Sequence, residues 1–430
     1  MSITDPKAFL TDLFHAAVRA SVPKVVLPMH MPASPKGRTI VVGAGKASAQ
    51  MALAFEQEVE KNPNWKSPLS GLVVTQYGAA ERCQFVEIVE AAHPVPDAAG
   101  EMAAARMLDI VSEARADDLV VALISGGGSS LLCLPADGLT LKDKQHINSS
   151  LLASGAPICA MNSIRKIFSK VKGGRLGAAA YPAKLISLVI SDVPGDDAGK
   201  VASGPTIASV GGVEEARKLV EKFKVDLPSA AMEMLAGNNN PPPSPKDKCF
   251  EYASFQVVAS AMLSLNAAAK LARKAGCDVI ILSDAIEGEA AKVGVEHGRL
   301  LKEKLMQKKT QKPLLILSGG ETVVSIEGGL SNAGKGGRNS AYLLALAMEI
   351  EGVNRVTCLA ADTDGRDGSE NNAGVFCDGT SVWRMKKMGV IAEEYLAKHD
   401  AWNAFNATSD LLITGPTGTN VNDFRALLAL

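Results

Sequence analysis

The stretch LVVALISGGGSS, residues 119–130, decides the fold class of this chain. Its first half, Leu119–Ile124, has the apolar pattern of a buried strand. The strand runs into a glycine-rich turn whose residues are Ser125, Gly126, Gly127, Gly128, Ser129 and Ser130. Consecutive glycines let the backbone aim several N–H groups at one point, and a helix starting there would add its positive end, so an anion can bind without a charged side chain. The alternative is a turn that uses glycine only for its backbone conformation.

The rest of the chain repeats this alternation of strands and helices. Short β-branched runs alternate with stretches of helical period, which is typical of βαβ units and parallel sheets. The predicted strands are Thr39–Val42, Gly71–Val74, Phe85–Ala91, Leu119–Ile124 and Leu185–Ile190 in the first half, and Phe255–Val258, Val279–Leu282, Leu314–Leu317, Arg355–Ala360 and Leu411–Thr414 in the second. The pattern therefore predicts an α/β protein.

The length of the chain favours two domains, because 430 residues exceed what one hydrophobic core usually organises. A segment rich in Asn and Pro, Gly237–Lys248, cannot form a helix or a central strand and marks the boundary. We predict one domain over residues 1–240 and a second over residues 249–430. An amphipathic first helix, capped by Thr4 or Asp5 with Pro6 at its start, falls in the first domain.

The composition indicates a cytoplasmic protein that binds small molecules. Lys and Arg number 45 against 46 Asp and Glu, and a net charge of -1 argues against a nucleic-acid or membrane-surface binder. The 7 cysteines form no CxxC pair and fit reduced thiols of the cytosol. No apolar run reaches the roughly 18 residues that span a bilayer. The sequence leaves a homo-oligomer open.

A second glycine loop, Val41–Ser48 (VVGAGKAS), begins like a dinucleotide-binding fingerprint. Ser48 stands at the third glycine position and no acid closes a second strand roughly 20 residues further on, so a nicotinamide site is weakly supported. Lys46 lies where a helix starts, against the helix dipole. That position makes sense if the lysine meets a phosphate or a developing alkoxide. The alternative is a solvated surface lysine.

The strand predicted at Leu314–Leu317 also ends in Ser-Gly-Gly, and its turn continues through Gly319, Gly320 and Glu321. The similarity to the turn after Leu119–Ile124 is too short to prove duplication. It suggests two loops that face one cleft, because ligands of such sheets collect at the carboxyl ends of strands.

A basic glycine loop follows in the second half. Gly329–Gly336 has the spacing of a P-loop up to its lysine, but Gly336 stands where the hydroxyl that binds Mg²⁺ is required, so we reject a P-loop. The loop still opens a predicted helix over residues 341–350. Arg338 at that point can clamp a phosphate or a carboxylate with two hydrogen bonds. It can also be an ordinary ion-pair partner.

Two acidic segments, residues 191–197 (SDVPGDD) and 362–368 (DTDGRDG), each follow a predicted strand. One or two carboxylates at strand ends are what a hydrated Mg²⁺ on substrate phosphates requires. Asp192 and Asp364 are the candidate ligands, and like charges crowd Asp192 in a way that a cation would relieve. The alternative for both segments is turn chemistry, since Asp and Gly are favoured in tight turns.

Basic residues of the first half of the chain form a third group of candidate site residues. Arg165, Lys172 and Arg175 flank a short helix-like segment and are candidates for binding a carboxylate substrate. His93 in HPVPD (residues 93–97) is extended because of its prolines. A lone histidine of this kind is more often a structural hydrogen-bonding residue than a base.

Ten motifs occur in order across nearly the whole chain: GAGKA, HPVPD, SGGGSSLL, NSIRKIFSKVKGGRL, SDVPGDD, ASGPT, SGGET, GGRN, DTDGRDG and GPTGTNVND. This ordered set resembles the class II glycerate 2-kinase family, whose C-terminal part is called the MOFRL domain and whose members were often labelled hydroxypyruvate reductases. One departure is Arg366 in DTDGRDG, where relatives tend to have an apolar residue. That difference concerns the second acidic segment more than the fold.

The resemblance implies a Rossmann-like N-terminal domain, a MOFRL-type C-terminal α/β domain, and a site in the cleft between them. It also implies phosphorylation of glycerate at its 2-hydroxyl with ATP and Mg²⁺. By position, Lys46 and Arg338 match basic residues that assist phosphoryl transfer, and Asp192 matches an acid of the family motif. Whether Asp192 binds the metal or accepts the hydroxyl proton stays open.

The primary hypothesis is therefore phosphoryl transfer, with the Ser125–Ser130 turn and Mg²⁺ on the nucleotide phosphates and with Lys46 and Arg338 neutralising the transferred group. Two alternatives remain. An NAD(P)H-dependent hydroxypyruvate reductase would need a nicotinamide site and a proton donor. A sensor of sugar acids or nucleotides would bind at the same loops without turnover.

Overall fold

A computed structural model describes residues 3–208, 210–237, 240–308, 310–325 and 334–430. The chain forms two compact units, one over residues 23–258 and one that combines residues 1–22 with residues 259–430. We call the second the discontinuous unit. Its first helix, α1 (Pro6–Arg19), begins after Asp5, whose side chain accepts a hydrogen bond from the amide of Ala8. In the described residues, no helix is long and apolar enough to cross a membrane.

The position of α1 corrects the predicted domain boundaries. The sequence placed residues 1–22 with the first domain, but Leu13, Phe14 and Ala17 of α1 pack into the core of the discontinuous unit. Phe14 makes an edge-to-face contact with Phe424, with ring centroids 5.9 Å apart. The apolar face of α1 is completed by residues some 400 positions later, which local sequence cannot reveal.

The unit of residues 23–258 is built on a six-stranded sheet in the order β3-β2-β1-β4-β5-β6. The strands are β1 (Thr39–Ala44), β2 (Leu69–Gln76), β3 (Val86–Ala91), β4 (Leu119–Ile124), β5 (Lys184–Ile190) and β6 (Ala253–Ala259). The pairs from β3 to β5 are parallel. This is the strand order of dinucleotide-binding folds, so we call it the Rossmann-like unit.

Helices cover the sheet of the Rossmann-like unit. They are α2 (Pro23–Val26), α3 (Ser48–Lys61), α4 (Ala98–Ser112), α5 (Gly128–Leu131), α6 (Leu141–Ala153), α7 (Ile158–Ile167), α8 (Arg175–Ala179), α9 (Val213–Phe223) and α10 (Ser229–Gly237). Every residue of β1 and β4 is buried. Continuous apolar strands are expected where a parallel sheet is covered on both faces, and this pattern made both strands readable from the sequence.

The discontinuous unit contains a mixed sheet in the order β11-β10-β9-β12-β8-β7. Its strands are β7 (Asp278–Ile281), β8 (Leu314–Ser318), β9 (Val356–Asp362), β10 (Gly374–Asp378), β11 (Leu411–Leu412) and β12 (Asp423–Ala429). Only β7 and β8 pair in parallel among the pairs described, whereas β12 is antiparallel to both β8 and β9. The prediction of a parallel sheet was wrong here, because β12 returns from the opposite direction.

Helices α11 (Ala261–Lys274), α12 (Ala290–Gln307), α13 (Arg338–Glu349), α14 (Ser381–Lys387), α15 (Ala392–Ala397) and α16 (Ala401–Ala407) complete the discontinuous unit. The sequence missed β10 and β12, and it assigned Phe255–Val258 to the second half, although that strand is the edge of the first sheet. Residues 329–333 of the rejected P-loop and Asn238 and Asn239 of the predicted boundary lie outside the described residues.

Candidate active site

Two glycine loops meet at the carboxyl ends of β1 and β4, the neighbouring strands where the order of the first sheet reverses. The amide of Lys46 donates a hydrogen bond to the carbonyl of Gly126 over 2.9 Å. The amide of Ala47 donates to Oγ of Ser125 over 3.1 Å, and the hydroxyls of Ser48 and Ser125 lie 3.1 Å apart. A reversal of strand order is where open α/β sheets bind ligands.

The glycines of the turn make room for side chains from three other loops. A Cβ atom at Gly126 would overlap the carboxylate of Asp192. Gly127 is left-handed with φ 77°, and a Cβ there would lie 3.1 Å from Cγ of Lys46 and 3.1 Å from Nε2 of His93. The predicted residues Lys46 and Asp192 therefore lie against the same turn. The helix expected after it, α5, has only 4 residues, so a long helix dipole does not contribute.

Lys172 joins the turn from a different segment. Its ammonium group donates to the carbonyl of Ser129 and, over 2.8 Å, to the hydroxyl of Ser129. The same hydroxyl lies 3.0 Å from Oγ of Ser203, which donates to Oδ1 of Asn162 over 3.2 Å. Arg165 donates to that Oδ1 over 3.4 Å. Two of the predicted substrate-binding residues thus belong to one hydrogen-bond network with the turn.

Buried cations lie in and beside this network. Lys172 is 2% exposed, and burial together with the neighbouring charge of Lys144 lowers its pKa to about 7. Lys144, which the sequence analysis did not single out, is 1% exposed, and burial lowers its pKa to about 8. Burial also lowers the pKa of Arg165.

The described hydrogen-bond acceptors of these three cations are backbone carbonyls, a serine hydroxyl and two asparagine side chains. Since all of these acceptors are uncharged, the cluster of Lys144, Arg165 and Lys172 suits an anionic ligand.

Arg175 makes its described hydrogen bonds to backbone carbonyls. Its guanidinium donates to the carbonyls of Lys166, Lys172 and Asn240 over 2.8, 3.0 and 2.6 Å. Burial lowers its pKa to about 10. These three hydrogen bonds go to the backbone, and the contact of Arg175 with substrate stays a prediction.

In the discontinuous unit, Arg338 is surrounded by carboxylates. Its guanidinium contacts Oδ1 of Asp423 at 2.8 Å, Oδ2 of Asp362 at 2.7 Å and Oε1 of Glu321 at 3.0 Å. Burial acts to lower the pKa of Arg338, but the three carboxylates outweigh it and raise the pKa. The arginine is therefore already neutralised by its own unit, as the ion-pair alternative expected.

The start of α13 is also occupied by an acid. Asp367 accepts hydrogen bonds from the amides of Asn339 and Ser340 over 2.9 and 2.8 Å, and from the hydroxyl of Ser340. Burial raises the pKa of Asp367, and these hydrogen bonds oppose that shift. The anion-binding position of this helix end is thus filled by a side chain of the protein.

The turn through Gly319, Gly320 and Glu321 is tied to the protein in a similar way. The amide of Gly319 donates to the carbonyl of Ser283 over 2.8 Å. The carbonyl of Gly319 accepts from Arg425, which is fully buried and contacts Asp423. The carboxylate of Glu321 pairs with Arg338. A phosphate at this turn would have to compete with that carboxylate.

The second predicted metal ligand, Asp364, lies in a hydrogen-bonded turn. Its amide donates to Oδ1 of Asp362 over 3.0 Å, and its own Oδ1 accepts from the amide of Arg366 over 2.8 Å. Burial raises the pKa of Asp362, and the charge of Asp364 adds to that shift. Within the described ranges, no group of three or more His, Cys, Asp or Glu could hold a metal ion.

Beside Arg338 lies a cavity of about 690 Å³. Its apolar lining includes Val323, Val324 and Leu396, and its polar lining includes Glu321 and Arg338. This size and mixture are typical of small-molecule sites, which measure roughly 300–1,000 Å³.

Comparison with known proteins decides the family. Residues 9–236 match the family described as "Domain of unknown function (DUF4147)", and residues 314–423 match the MOFRL family. A D-glycerate 2-kinase of Thermotoga maritima is 35% identical over 97% of this chain and 97% of its own length. The chain belongs to the DUF4147/MOFRL glycerate kinase family. The resemblance stated from the ordered motifs is thereby confirmed.

Two further relatives show how names vary in this glycerate kinase family. A protein of Agrobacterium vitis named "Putative hydroxypyruvate reductase" is 45% identical over 97% of this chain and 93% of its own length. The crystal structure of glycerate kinase from Thermotoga maritima superposes with a TM-score of 0.87 at 34% identity and covers 99% of both chains. The two-domain α/β architecture is therefore shared with a solved glycerate kinase.

Sequence reasoning found the loops of this family member but missed several side chains that define their surroundings. Lys144 lies in α6, where its neighbours are polar, and nothing local marks it as buried. Arg425 and Asp423 lie in β12, which was not predicted as a strand. For His93 a signal was present, since HPVPD was among the ordered motifs, but a structural role was preferred.

Proposed function

We propose that the protein is a glycerate 2-kinase, which transfers the γ-phosphoryl group of ATP to the 2-hydroxyl of D-glycerate and forms 2-phosphoglycerate. The observation that carries the proposal is the meeting of two glycine loops at the point of reversed strand order, with Lys46, Asp192 and Lys172 around the Ser125–Ser130 turn. The name of the Thermotoga maritima relative supports the same reaction.

Phosphoryl transfer depends on positioning and on charge stabilisation. The Ser125–Ser130 turn binds phosphate oxygens through its backbone, and Lys46 next to Gly127 neutralises charge on the transferred group. The cations Arg165 and Lys172 attract the carboxylate of glycerate. Arg338 as a second cation of the reaction, with Gly319, Gly320 and Glu321 near the nucleotide, stays a prediction, as does the cleft that the resemblance implies.

Mg²⁺ fits this site as an ion bound mainly by the nucleotide. Such an ion needs one or two carboxylates in addition to phosphate oxygens and water, and Asp192 offers a carboxylate directly against the turn. When bound, Mg²⁺ would withdraw charge from the phosphate oxygens. Asp364 as a further ligand stays a prediction.

A hydroxypyruvate reductase is the second candidate, because a relative with 45% identity carries that name. The loop after β1 has Ser48 in place of the third fingerprint glycine, and the side chain of Lys46 lies against Gly127 of the turn. A nicotinamide site needs close packing at that third position. Incubation with NADH and hydroxypyruvate tests this candidate, since enzyme-dependent loss of NADH absorbance would establish it.

The decisive experiment combines coupled ADP release with phosphorus NMR of the product. With ATP, Mg²⁺ and D-glycerate we expect stoichiometric ADP and a phosphorus doublet, because the carbon at position 2 carries one hydrogen. A triplet would show phosphorylation of the 3-hydroxyl. If calorimetry shows that ATP binds but no hydroxy acid causes ADP release, the result would support a sensor and overturn the kinase proposal.

A further inference from the structure

His93 contacts the same turn as the proposed catalytic residues. Its Nε2 and Cδ2 atoms would lie 3.1 and 3.2 Å from a Cβ at Gly127, and Cγ of Lys46 lies equally close to that point. The imidazole and the lysine therefore flank one left-handed glycine. His93 precedes α4 and follows β3, so it reaches the turn from a separate loop of the Rossmann-like unit.

The surroundings keep this imidazole uncharged. Burial lowers the pKa of His93 to about 4, and the charge of Lys46 adds to the shift. The ring is only partly buried. Within the described part of the chain it has no hydrogen-bond partner, whereas His297 and His146 each have one. A neutral imidazole has both a donor and an acceptor nitrogen, and here both are available to a ligand.

A neutral group beside a cation can discriminate between ligands in a way that the cation cannot. Lys46, which lies against the same glycine as His93, attracts anions of many kinds, including phosphate and any carboxylate. A hydrogen-bond acceptor that carries no charge responds instead to a hydroxyl group on the ligand. Sites that hydrogen-bond a substrate hydroxyl reject the analogue that lacks it, because the polar group of the site is then left unpaired.

We propose that His93 binds the acceptor hydroxyl of the substrate and selects 2-hydroxy acids over acids that lack this hydroxyl. The inference rests on the proposed kinase function, since it assigns the acceptor's place at the turn. His93 acts as a binding residue beside Lys46. It is one that the sequence analysis treated as structural.

The test compares D-glycerate with 3-hydroxypropionate, which lacks the 2-hydroxyl. Their affinities are measured by calorimetry in the presence of a non-hydrolysable ATP analogue and Mg²⁺. We expect the wild-type protein to prefer glycerate, and His93→Phe to reduce that preference on the order of tenfold, as for the loss of one hydrogen bond. His93→Gln, which keeps a polar group near the position of Nε2, should retain part of the preference.

The control is His15→Phe, which replaces an exposed histidine of the discontinuous unit and should leave both affinities unchanged. Affinity for the ATP analogue should be the same in His93→Phe and wild type, which shows that the turn is intact. An unchanged ratio of glycerate to 3-hydroxypropionate affinity in His93→Phe would overturn the inference. A wild-type protein without glycerate-dependent ADP release would instead overturn the proposed function.

Discussion

The two Ser-Gly-Gly turns of this chain end apolar strands in the same way but differ in charge. The turn after β4 lies against Lys46, Lys172 and the carboxylate of Asp192, and the described hydrogen-bond acceptors of Lys172 are uncharged. The turn after β8 is followed by Glu321, and the arginine beside it is paired with three carboxylates. We propose that the first turn binds an anionic ligand, whereas the arginine beside the second is paired with carboxylates of its own unit.

The difference teaches that a glycine turn provides a backbone shape, whereas the charges of the neighbouring side chains determine which ligand can bind there. Position 128 is glycine in the first turn, and the corresponding position of the second turn is the acid Glu321. The remaining charges come from distant segments, such as Asp423 in β12 and Lys172 after α7. We therefore expect equivalent substitutions at the two turns to have different effects.

The largest effect is expected from Lys46→Met. Removing the cation that we propose neutralises the transferred group should lower kcat by about 10³-fold, in the range seen for groups that stabilise transition-state charge. Steady-state ADP release with saturating D-glycerate measures it. Lys66→Met, an exposed lysine of the same unit, is the matched control. Full turnover in Lys46→Met would remove this residue from the mechanism.

Arg338→Met should act on stability, in contrast to Lys46→Met. It removes the cation of the buried Asp362 and one of the two cations of Asp423, which still contacts Arg425, and breaking a buried pair by removing one partner costs about 3–5 kcal/mol. Thermal unfolding followed by circular dichroism should show a Tm several degrees lower. The double variant Arg338→Met/Asp362→Asn should recover part of the loss. An unchanged Tm would contradict this prediction, because it would mean that water solvates these carboxylates as well as Arg338 does.

Gly126→Ala and Gly319→Ala compare the space that the two turns leave for a side chain. A Cβ at Gly126 overlaps the carboxylate of Asp192, whereas a Cβ at Gly319 has its nearest neighbour, the carbonyl oxygen of Asp423, at 3.3 Å. We expect Gly126→Ala to lower kcat/KM for ATP by roughly 10²-fold, since small misplacements of catalytic groups have effects of that size. Gly319→Ala should change it by less. Equal losses in both variants would contradict the contrast.

The smallest effect concerns pH. The pKa of Lys172 is lowered to about 7 in the folded protein from 10.5, so between these values the unfolded chain binds more protons. Stability contributed through this group therefore rises as pH increases from about 7 towards 10.5. Denaturant unfolding of wild type and Lys172→Met at pH 7 and pH 9 should show the difference shifting in favour of wild type. A stability difference that does not depend on pH would contradict the lowered pKa of Lys172 in the folded protein.

Much of the Rossmann-like unit could be predicted because its signals are local. The strand Leu119–Ile124 has the predicted bounds, and β1 and β5 lie within two residues of theirs. Parallel strands end at the same edge, so residues after β1, β4 and β5 could be expected near one another. Lys46, Gly126 and Asp192 satisfy that expectation.

The discontinuous unit was harder to predict because its pairings are not local. β12 contains the buried Arg425 among apolar residues, and a charged residue in a central strand is compatible only with partners such as Asp423. The acids around Arg338 come from three segments separated along the chain. No local pattern indicates that they converge, so the ion-pair interpretation of Arg338 could not be preferred from sequence.

The split of the discontinuous unit has a consequence for synthesis on the ribosome. Helix α1 is made before the Rossmann-like unit, yet its partners in α11 and β12 are made only after that unit. Domains generally fold as units during synthesis. The Rossmann-like unit can therefore fold before the residues that cover the apolar face of α1 have been made. β12 follows the other described strands of its sheet along the chain and lies between β8 and β9. Truncation before β12 would thus leave the sheet without one of its inner strands and α1 without one of these partners.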